Sequence, residues 1–583
     1  MFDPLRLASL IQYPNEGLGL LSLPLGELVS SIPGAYQLAA LLGLYMWDSI
    51  DGSHSKKYGQ RYCPFPLPEP NNAHNYASDV SIIVPTIDWD DELPGNLLTW
   101  LACRPQEVIF VTVEKEVDRL ESTLKKDTRV GLVVKQLGTV IKVASVQEPN
   151  KRSQLCCGIN HAKGKILCLV DDDARWTTTN VLAQLLAPFE NEDVGLVGGP
   201  IGSYVPTDRQ HPDVITPWEV AALRIRSKRE PGMKAFFMAD RSTNFTVSGL
   251  TMLLRAEIVK DPYFQFLFTH DMFNGVRQNT GDDGFITRYI LFQHQLKHRE
   301  YSTLPRKQWR LGMQLHQDAE VQTSILTDHQ FASQSKRWYR SGLRLRLTCL
   351  LYEPGFRGMR AIAPHMARKM SGGMMTPFFA ALRLYLWISL WMAAPQSAFP
   401  LLLWVLYNWY GSLQGFMKQY PYCSSKIWAA MIADNLYLIS DIYSWLTLSQ
   451  ESWSNRESGQ APNPSQNPQN LRNPQSQNTQ THPYAQHQMS QSSQSTLCSQ
   501  GQTDSGDRTG WNSAETLVPL MPAQSTQPEQ RKERGCKHVK PTPPPKEKKV
   551  HKNHPHLGAI GDAIKDFTKE YEDAYWKRKH MKF

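Results

Sequence analysis

A short apolar run that stops on three consecutive carboxylates does most to limit what this chain can fold into. Ile166 to Val170 has the length of a strand, and Asp171, Asp172 and Asp173 follow it directly. An apolar run bounded in this way predicts a buried parallel strand, whose carboxyl end is where open α/β sheets bind ligands. Side chains alternate along an extended backbone, so Asp171 and Asp173 are expected to point one way and Asp172 the other. Two carboxylates on one side can share a divalent cation, a site suited to a diphosphate. Taken alone, three adjacent aspartates read more simply as a solvated acidic turn, and only the surrounding pattern separates the two.

That pattern is an alternation of strands and helices. Val80–Val84, Val108–Val113, Val140–Val146, Ile166–Val170 and Val194–Val197 are short and mostly rich in β-branched residues; Leu93–Leu101, Lys115–Lys125, Arg152–Ala162 and Asn180–Phe189 have helical spacing. Such alternation predicts a parallel sheet with helices on both faces. Residues 51–340 are therefore expected to form one α/β domain of catalytic size.

Apolar segments flank that domain. Leu28–Trp47, within residues 1–50, is about long enough to cross a bilayer, and Lys56, Lys57 and Arg61 follow it, which places that side in the cytoplasm by the positive-inside rule. Thr376–Ala394, Ala398–Met417 and Ile427–Leu448 each approach the ~20 residues of a membrane helix. Arg383, Asp434 and Asp441 lie inside them, and such charges usually face a bundle interior or an aqueous path. Ahead of these, residues 341–375 begin with Arg344 and Arg346 interleaved with leucines, which suits a helix lying at a membrane surface. The expectation is one membrane helix at the N-terminus, three in residues 376–449, and a multi-pass plasma-membrane protein with a cytosolic catalytic domain.

The formal charge of +9 is concentrated rather than spread, because Arg531–Lys552 holds nine Lys or Arg against Glu533 and Glu547. No aromatic-interleaved nucleic-acid motif accompanies that run, so nucleic acid is not an expected partner. Residues 450–583 are dominated at first by Ser, Gln, Asn, Pro and Thr, a composition that predicts disorder, and end on a stretch with Ile560, Ile564, Phe567 and Tyr571 at amphipathic spacing. The nine cysteines show no CxxC pairing, so reduced thiols are expected.

Four features occur in order: VPTID ending at Asp88, the aspartates 171–173, TGDDG at Thr280–Gly284, and QSKRW at Gln334–Trp338. With a GT-A-like strand pattern before the last of them and apolar segments after, the set resembles the processive family 2 glycosyltransferases, the group of hyaluronan, cellulose and chitin synthases, and within it fungal membrane-bound type 2 glycosyltransferases. The likeness covers about Leu28 to Arg456.

The resemblance implies an α/β GT-A (Rossmann-like) domain that transfers sugar from a UDP-sugar donor, with inversion, onto a growing polysaccharide acceptor and passes the product across the lipid bilayer. It implies that Asp88, Lys151, Arg152, Asp171, Gln334 and Arg337 contact the donor, and that Asp171 and Asp173 hold Mg or Mn. It further implies that Asp283 is the catalytic base and that Trp338, Ser248 and Gly249 lie against the acceptor. Each residue type suits its role: a carboxylate takes the proton of an attacking hydroxyl, an arginine fork matches a diphosphate, and a tryptophan face packs on a sugar. Gly284 departs from the pattern, because hyaluronan synthases often carry Arg there. Asp88 also reads as a helix N-cap, and Lys151 and Arg152 as the start of a solvated helix. A single-addition transferase making a glycolipid, and a non-catalytic membrane scaffold, are the alternative functions. The sequon Asn244-Phe245-Thr246 is expected to stay unused in a cytosolic domain.

Overall fold

The computed structural model describes residues 33–69, 73–295, 302–304 and 307–450. The polar tail, its basic run and the terminal amphipathic stretch lie outside the described residues, as does the start of the first apolar segment. From the N-terminus the elements are α1 (Ala35–Gly59), β1 (Val80–Pro85), α2 (Leu93–Leu101), β2 (Glu107–Val113), α3 (Val117–Lys126), α4 (Thr128–Leu137), β3 (Val140–Val146), α5 (Lys151–His161), β4 (Ile166–Val170), β5 (Ala174–Trp176), α6 (Val181–Leu186), β6 (Val194–Gly198) and β7 (Ile201–Tyr204). Then follow α7 (Pro217–Ser227), α8 (Arg229–Asp240), β8 (Thr251–Arg255), α9 (Ala256–Val259), α10 (Pro262–Thr269), the short pair β9 (Met272–Phe273) and β10 (Val276–Arg277), α11 (Asp282–Phe292), β11 (Arg310–Met313), β12 (Val321–Ser324) and α12 (Gln330–Leu347). The chain continues through α13 (Gly355–Ile362), α14 (Pro364–Met374), α15 (Thr376–Ala393), α16 (Pro395–Gln419) and α17 (Ile427–Leu446).

The central sheet has seven strands in the order β11-β6-β8-β4-β1-β2-β3. Strand β8 runs antiparallel to both neighbours, while the other pairs are parallel. The sheet is therefore mixed and not wholly parallel as the alternation alone implies. The reason is that β8 lies in VSGLTMLLR, after the helical pair α7–α8, and runs between β6 and β4 from the opposite end of the sheet. Alternate residues of one strand go to opposite cores: Ile83 to one, and Val80, Ile82 and Val84 to the other. Both faces of the sheet are covered, as period-two alternation within a buried strand requires. Gly158 lets α5 lie directly on β1, since a Cβ there would come within 2.4 Å of Ile83 Cγ2.

Cys63 and Cys157 are disulfide-bonded, and the five other described cysteines are free. This departs from the all-reduced expectation. The segment after α1 is also held across the domain by Tyr62, whose hydroxyl donates to Met313 O and accepts from Leu315 N. Nothing in the cysteine spacing marks Cys63 or Cys157 for a disulfide.

The flanking helices differ from their expected extents. Helix α1 runs twelve residues beyond Trp47, through Asp48, Asp51, Lys56 and Lys57. Helix α12 crosses the expected boundary at 340, and Arg340 and Arg344 within it are buried rather than spread on a surface. Their guanidiniums donate to the carbonyls of Leu448 and Gln450, so the chain after α17 is tied back against the catalytic domain. Among the described residues one helix, α15, is long and apolar enough to cross a membrane. The three charges inside the apolar segments are all paired: Arg383 with Asp48, Asp434 with Arg224 and Lys228, and Asp441 with Arg346.

Candidate active site

Strand β4 ends at Val170, and the three aspartates lie in a tight turn in which Ala174 N bonds back to Asp171 O. Their divergence is therefore set by the turn and by partners, not by strand alternation. Asp171 accepts from Lys151 Nζ at 2.8 Å, Asp172 from Thr86 at 2.5 Å and Asp173 from Thr323 at 2.7 Å. Each carboxylate is thus drawn toward a different element: α5, the end of β1, and β12.

The second acidic pair comes from the start of α11. Gly281 has φ of +71°, a left-handed conformation that glycine adopts without a Cβ penalty, and Asp282 and Asp283 then occupy the first turn. Lys151 joins the two acidic groups, because its ammonium also lies 3.1 Å from Asp282. Gly249 completes the floor: a Cβ there would sit 3.6 Å from Asp283 Cβ and 3.7 Å from Lys151 Nζ.

The turn that carries Asp282 and Asp283 is braced from three sides. Asn150 caps α5 and donates to Asn279 Oδ1 at 2.8 Å. Ser341 on α12 bonds to the Thr280 hydroxyl. Arg152, almost fully buried, donates to Thr280 O, Phe268 O and Asp271. The structure thus places Arg152 behind the acidic turn as its support, whereas Lys151 faces the carboxylates.

Burial and charge divide Asp171, Asp282 and Asp283. Burial, then the like charge of Asp282, pushes Asp283 up to about 6. Burial also raises Asp171, reinforced by Asp173 and Asp282 and opposed by Lys151. Asp282 moves the other way: burial opposes ionisation, but Lys151 and Arg152 hold it below the ordinary carboxylate range. Burial works against the Lys151 charge, and Asp171 and Asp282 more than offset it. One group of the acidic pair is thus kept ionised and the other poised near neutrality, the division expected of a base and its neighbour.

On α12, Arg337 is half-buried and lies in the field of Asp171, Asp173, Asp282 and Asp283. Trp338 is packed edge-on to Phe331, and the guanidiniums of Arg226 and Arg229 lie over its ring at 5.8 and 5.3 Å from the centroid. Gln334 is half-buried one turn earlier, Ser248 accepts from Leu250 N beside Gly249, and Asp88 is exposed on the bend after β1. The structure therefore brings Lys151, Asp171, Asp173, Gly249, Asp283 and Arg337 to one place, whereas the exposed Asp88, among the described residues, forms no hydrogen bond or ion pair with them.

Oxygen donors suited to Mg or Mn are present in Asp171 and Asp173, and their mutual repulsion is the kind a divalent cation relieves. Among the described residues no group of three or more His, Cys, Asp or Glu forms a closed cage. That fits an ion that takes its remaining ligands from phosphate and water.

A mixed sheet with acidic groups at the carboxyl end of its central strand and at a following helix defines a GT-A-like glycosyltransferase domain. Residues 77–302 match the family described as Glycosyltransferase like family 2. The chain is 34% identical over 424 residues to the NDP-glycosyltransferase ltbB of Aspergillus luteorubrus, spanning 72% of this chain and 98% of that protein. It is 32% identical over 289 residues to a type 2 glycosyltransferase of Zymoseptoria tritici, spanning 49% of this chain and 55% of that one. The chain belongs to the family 2 glycosyltransferases. Among solved structures it is similar to the mannosyltransferase PcManGT of Pyrobaculum calidifontis, determined with GDP-Man and Mn2+, at 15% identity and a TM-score of 0.45, over 72% of this chain and 99% of that one.

Proposed function

We propose that this glycosyltransferase is an inverting, metal-dependent enzyme acting at a membrane, with a UDP-sugar as donor. The observation that carries the reading is the convergence of Asp171, Asp173, Asp282 and Asp283 around Lys151 and Arg337. Asp283 takes the proton from the acceptor hydroxyl as it attacks the anomeric carbon, and Asp282 stays ionised to hold Lys151 in place. Lys151 and Arg337 meet the charge of the departing nucleotide. Asp171 and Asp173 would hold the divalent cation, which supplies charge neutralisation on that leaving group.

Attachment to the membrane is supported by exposed apolar side chains on the C-terminal helices, among them Leu384, Ile388, Trp391, Tyr407, Ile439 and Leu446. Chain extension, with export of a cell-wall or extracellular polysaccharide through helices α15–α17, rests on QSKRW, whose Arg337 faces the acidic groups. Two features favour the single-addition reading, in which the product is a glycolipid. The Trp338 ring already carries two guanidiniums, and the charges inside the apolar helices are used in ion pairs rather than left along a path.

The test is incubation of the purified full-length protein with individual radiolabelled UDP-sugars and Mn, followed by gel filtration of the product. A high-molecular-weight product is expected if the chain extends polymers, and one sugar on lipid if it does not. No consumption of any UDP-sugar would sink the donor assignment.

The rate is also expected to fall as pH drops through about 6, because Asp283 must be ionised to accept a proton. Its pKa is raised on folding, so ionisation between the ordinary carboxylate value and 6 also lowers stability as pH rises across that window. In Asp282→Asn the acidic limb should move to lower pH, since the like charge that helps to raise Asp283 is gone. A pH–rate profile of the variant with an unmoved limb would remove Asp282 from that role.

A further inference from the structure

Helix α7 ends and α8 begins in the run RIRSKRE, which as a sequence reads as an ordinary solvated cluster. The structure turns all three of its arginines inward: Arg224 pairs with Asp434, while Arg226 and Arg229 flank the Trp338 ring. Arg226 is buried, with long contacts to Ser203 Oγ and Thr323 O, and lies in the field of Asp173. Arg229 is half-buried against the Trp338 ring and lies in the field of Asp283. Among the described residues Arg229 has no hydrogen-bond acceptor and no ion-pair partner within bonding distance.

A guanidinium offers five donors in a rigid plane, and those of Arg229 bond no protein acceptor among the described residues, which leaves them open to the acceptors of a ligand. A cation–π contact with the Trp338 ring at 5.3 Å restrains the side chain in advance, which lowers the entropy lost when a ligand binds. The position decides which ligand. Charge on the donor diphosphate is met by Lys151, Arg337 and the ion that Asp171 and Asp173 suit. Arg229 instead lies over the Trp338 ring, and its charge acts on Asp283, the group that takes the proton of the acceptor hydroxyl. We propose that Arg229, held on Trp338, is an acceptor-binding residue that selects acceptors carrying an anionic group, a carboxylate or a phosphate, near the reacting hydroxyl. The assignment rests on Asp283 being the acceptor-side base.

The test uses three glycosides that differ only at C6: methyl β-D-glucoside, methyl β-D-glucuronide and methyl β-D-glucoside 6-phosphate. Each is titrated by calorimetry into the full-length protein in detergent micelles saturated with UDP and Mn. In the wild type at least one charged glycoside should bind about 10- to 100-fold more tightly than the neutral one, the range of a charge-assisted hydrogen bond. Which of the two does so separates a sugar carboxylate from a phosphate. In Arg229→Gln that preference should shrink to within about two-fold, and Arg229→Lys should recover part of it. Equal affinities for all three in the wild type would overturn the proposal. So would an equal weakening of all three in Arg229→Gln, which would make Arg229 a support for Trp338 and Asp283. Binding is read without turnover, so a failure here is distinct from a failure to consume UDP-sugar.

Discussion

Asp283→Asn is expected to lower glycosyl transfer by about 10²- to 10⁴-fold, the range of positioned base catalysis, while UDP and Mn bind with nearly the wild-type affinity. The substitution keeps the shape of the side chain. Asp283 Oδ1 accepts from Gly284 N at 2.7 Å, and an amide oxygen can accept that bond equally well. What disappears is the ability to take a proton. Asp173→Ala should behave differently, because Asp173 belongs to the oxygen set suited to the cation, so Mn-dependent binding of UDP should weaken together with transfer. Calorimetry with UDP in the presence and absence of Mn, run beside a transfer assay, separates the two. Equal loss of UDP binding in both variants would end the division of labour between the two acidic pairs.

The acidic groups at 171–173 and 282–283 were legible because each sits at a boundary that sequence marks. One follows an apolar run and the other follows Thr280-Gly281 at the start of a helix. The five strands Val80 to Val197 were legible for the same reason. Strand β8 was not: its antiparallel entry depends on where α7 and α8 return the chain, and no local pattern records that. The residues that shape the site from behind were also hidden. Thr86, Thr323, Asp271 and Ser341 are ordinary polar residues whose partners lie 17 to 150 positions away. Arg226 and Arg229 were hidden as well, because in a run of five charges in seven residues no local pattern separates the groups turned inward from those left in water. Asn150 was the one brace within reach, since an Asn directly before a helical stretch is a capping residue. The paired charges at Asp434 and Asp441 show the same limit. Sequence can say that a carboxylate in an apolar helix needs a partner, but not which element brings it.

Asp434→Ala is expected to loosen α17 from the catalytic domain by about 3 to 5 kcal/mol, the usual effect of removing one member of a buried ion pair. The pair is bidentate: Arg224 Nε and Nη2 each donate to Asp434 at 2.8 Å, and both side chains are at most 10% exposed. Lys228 and the indole of Trp409 bond the same carboxylate, and Arg224 also reaches the hydroxyl of Ser412 on α16. One carboxylate therefore ties α7, α16 and α17 together, and its loss leaves two cations without their counter-charge. Amide exchange in residues 427–446 should speed by about 10²- to 10⁴-fold if opening of α17 becomes easier by that amount. The double variant Arg224→Met, Asp434→Leu should recover much of the protection, because removing both charges also removes the desolvation that each imposes. That recovery is what distinguishes a rivet from a polar path. If Asp434 lines a route for an exported chain, Asp434→Leu should shorten the product, and restoring the packing with Met at 224 would not lengthen it again. If the pair only fastens the helices, product size should follow exchange protection, recovering in the double variant. A product that stays short while protection returns would make Asp434 part of a path, and the ion pair incidental to it.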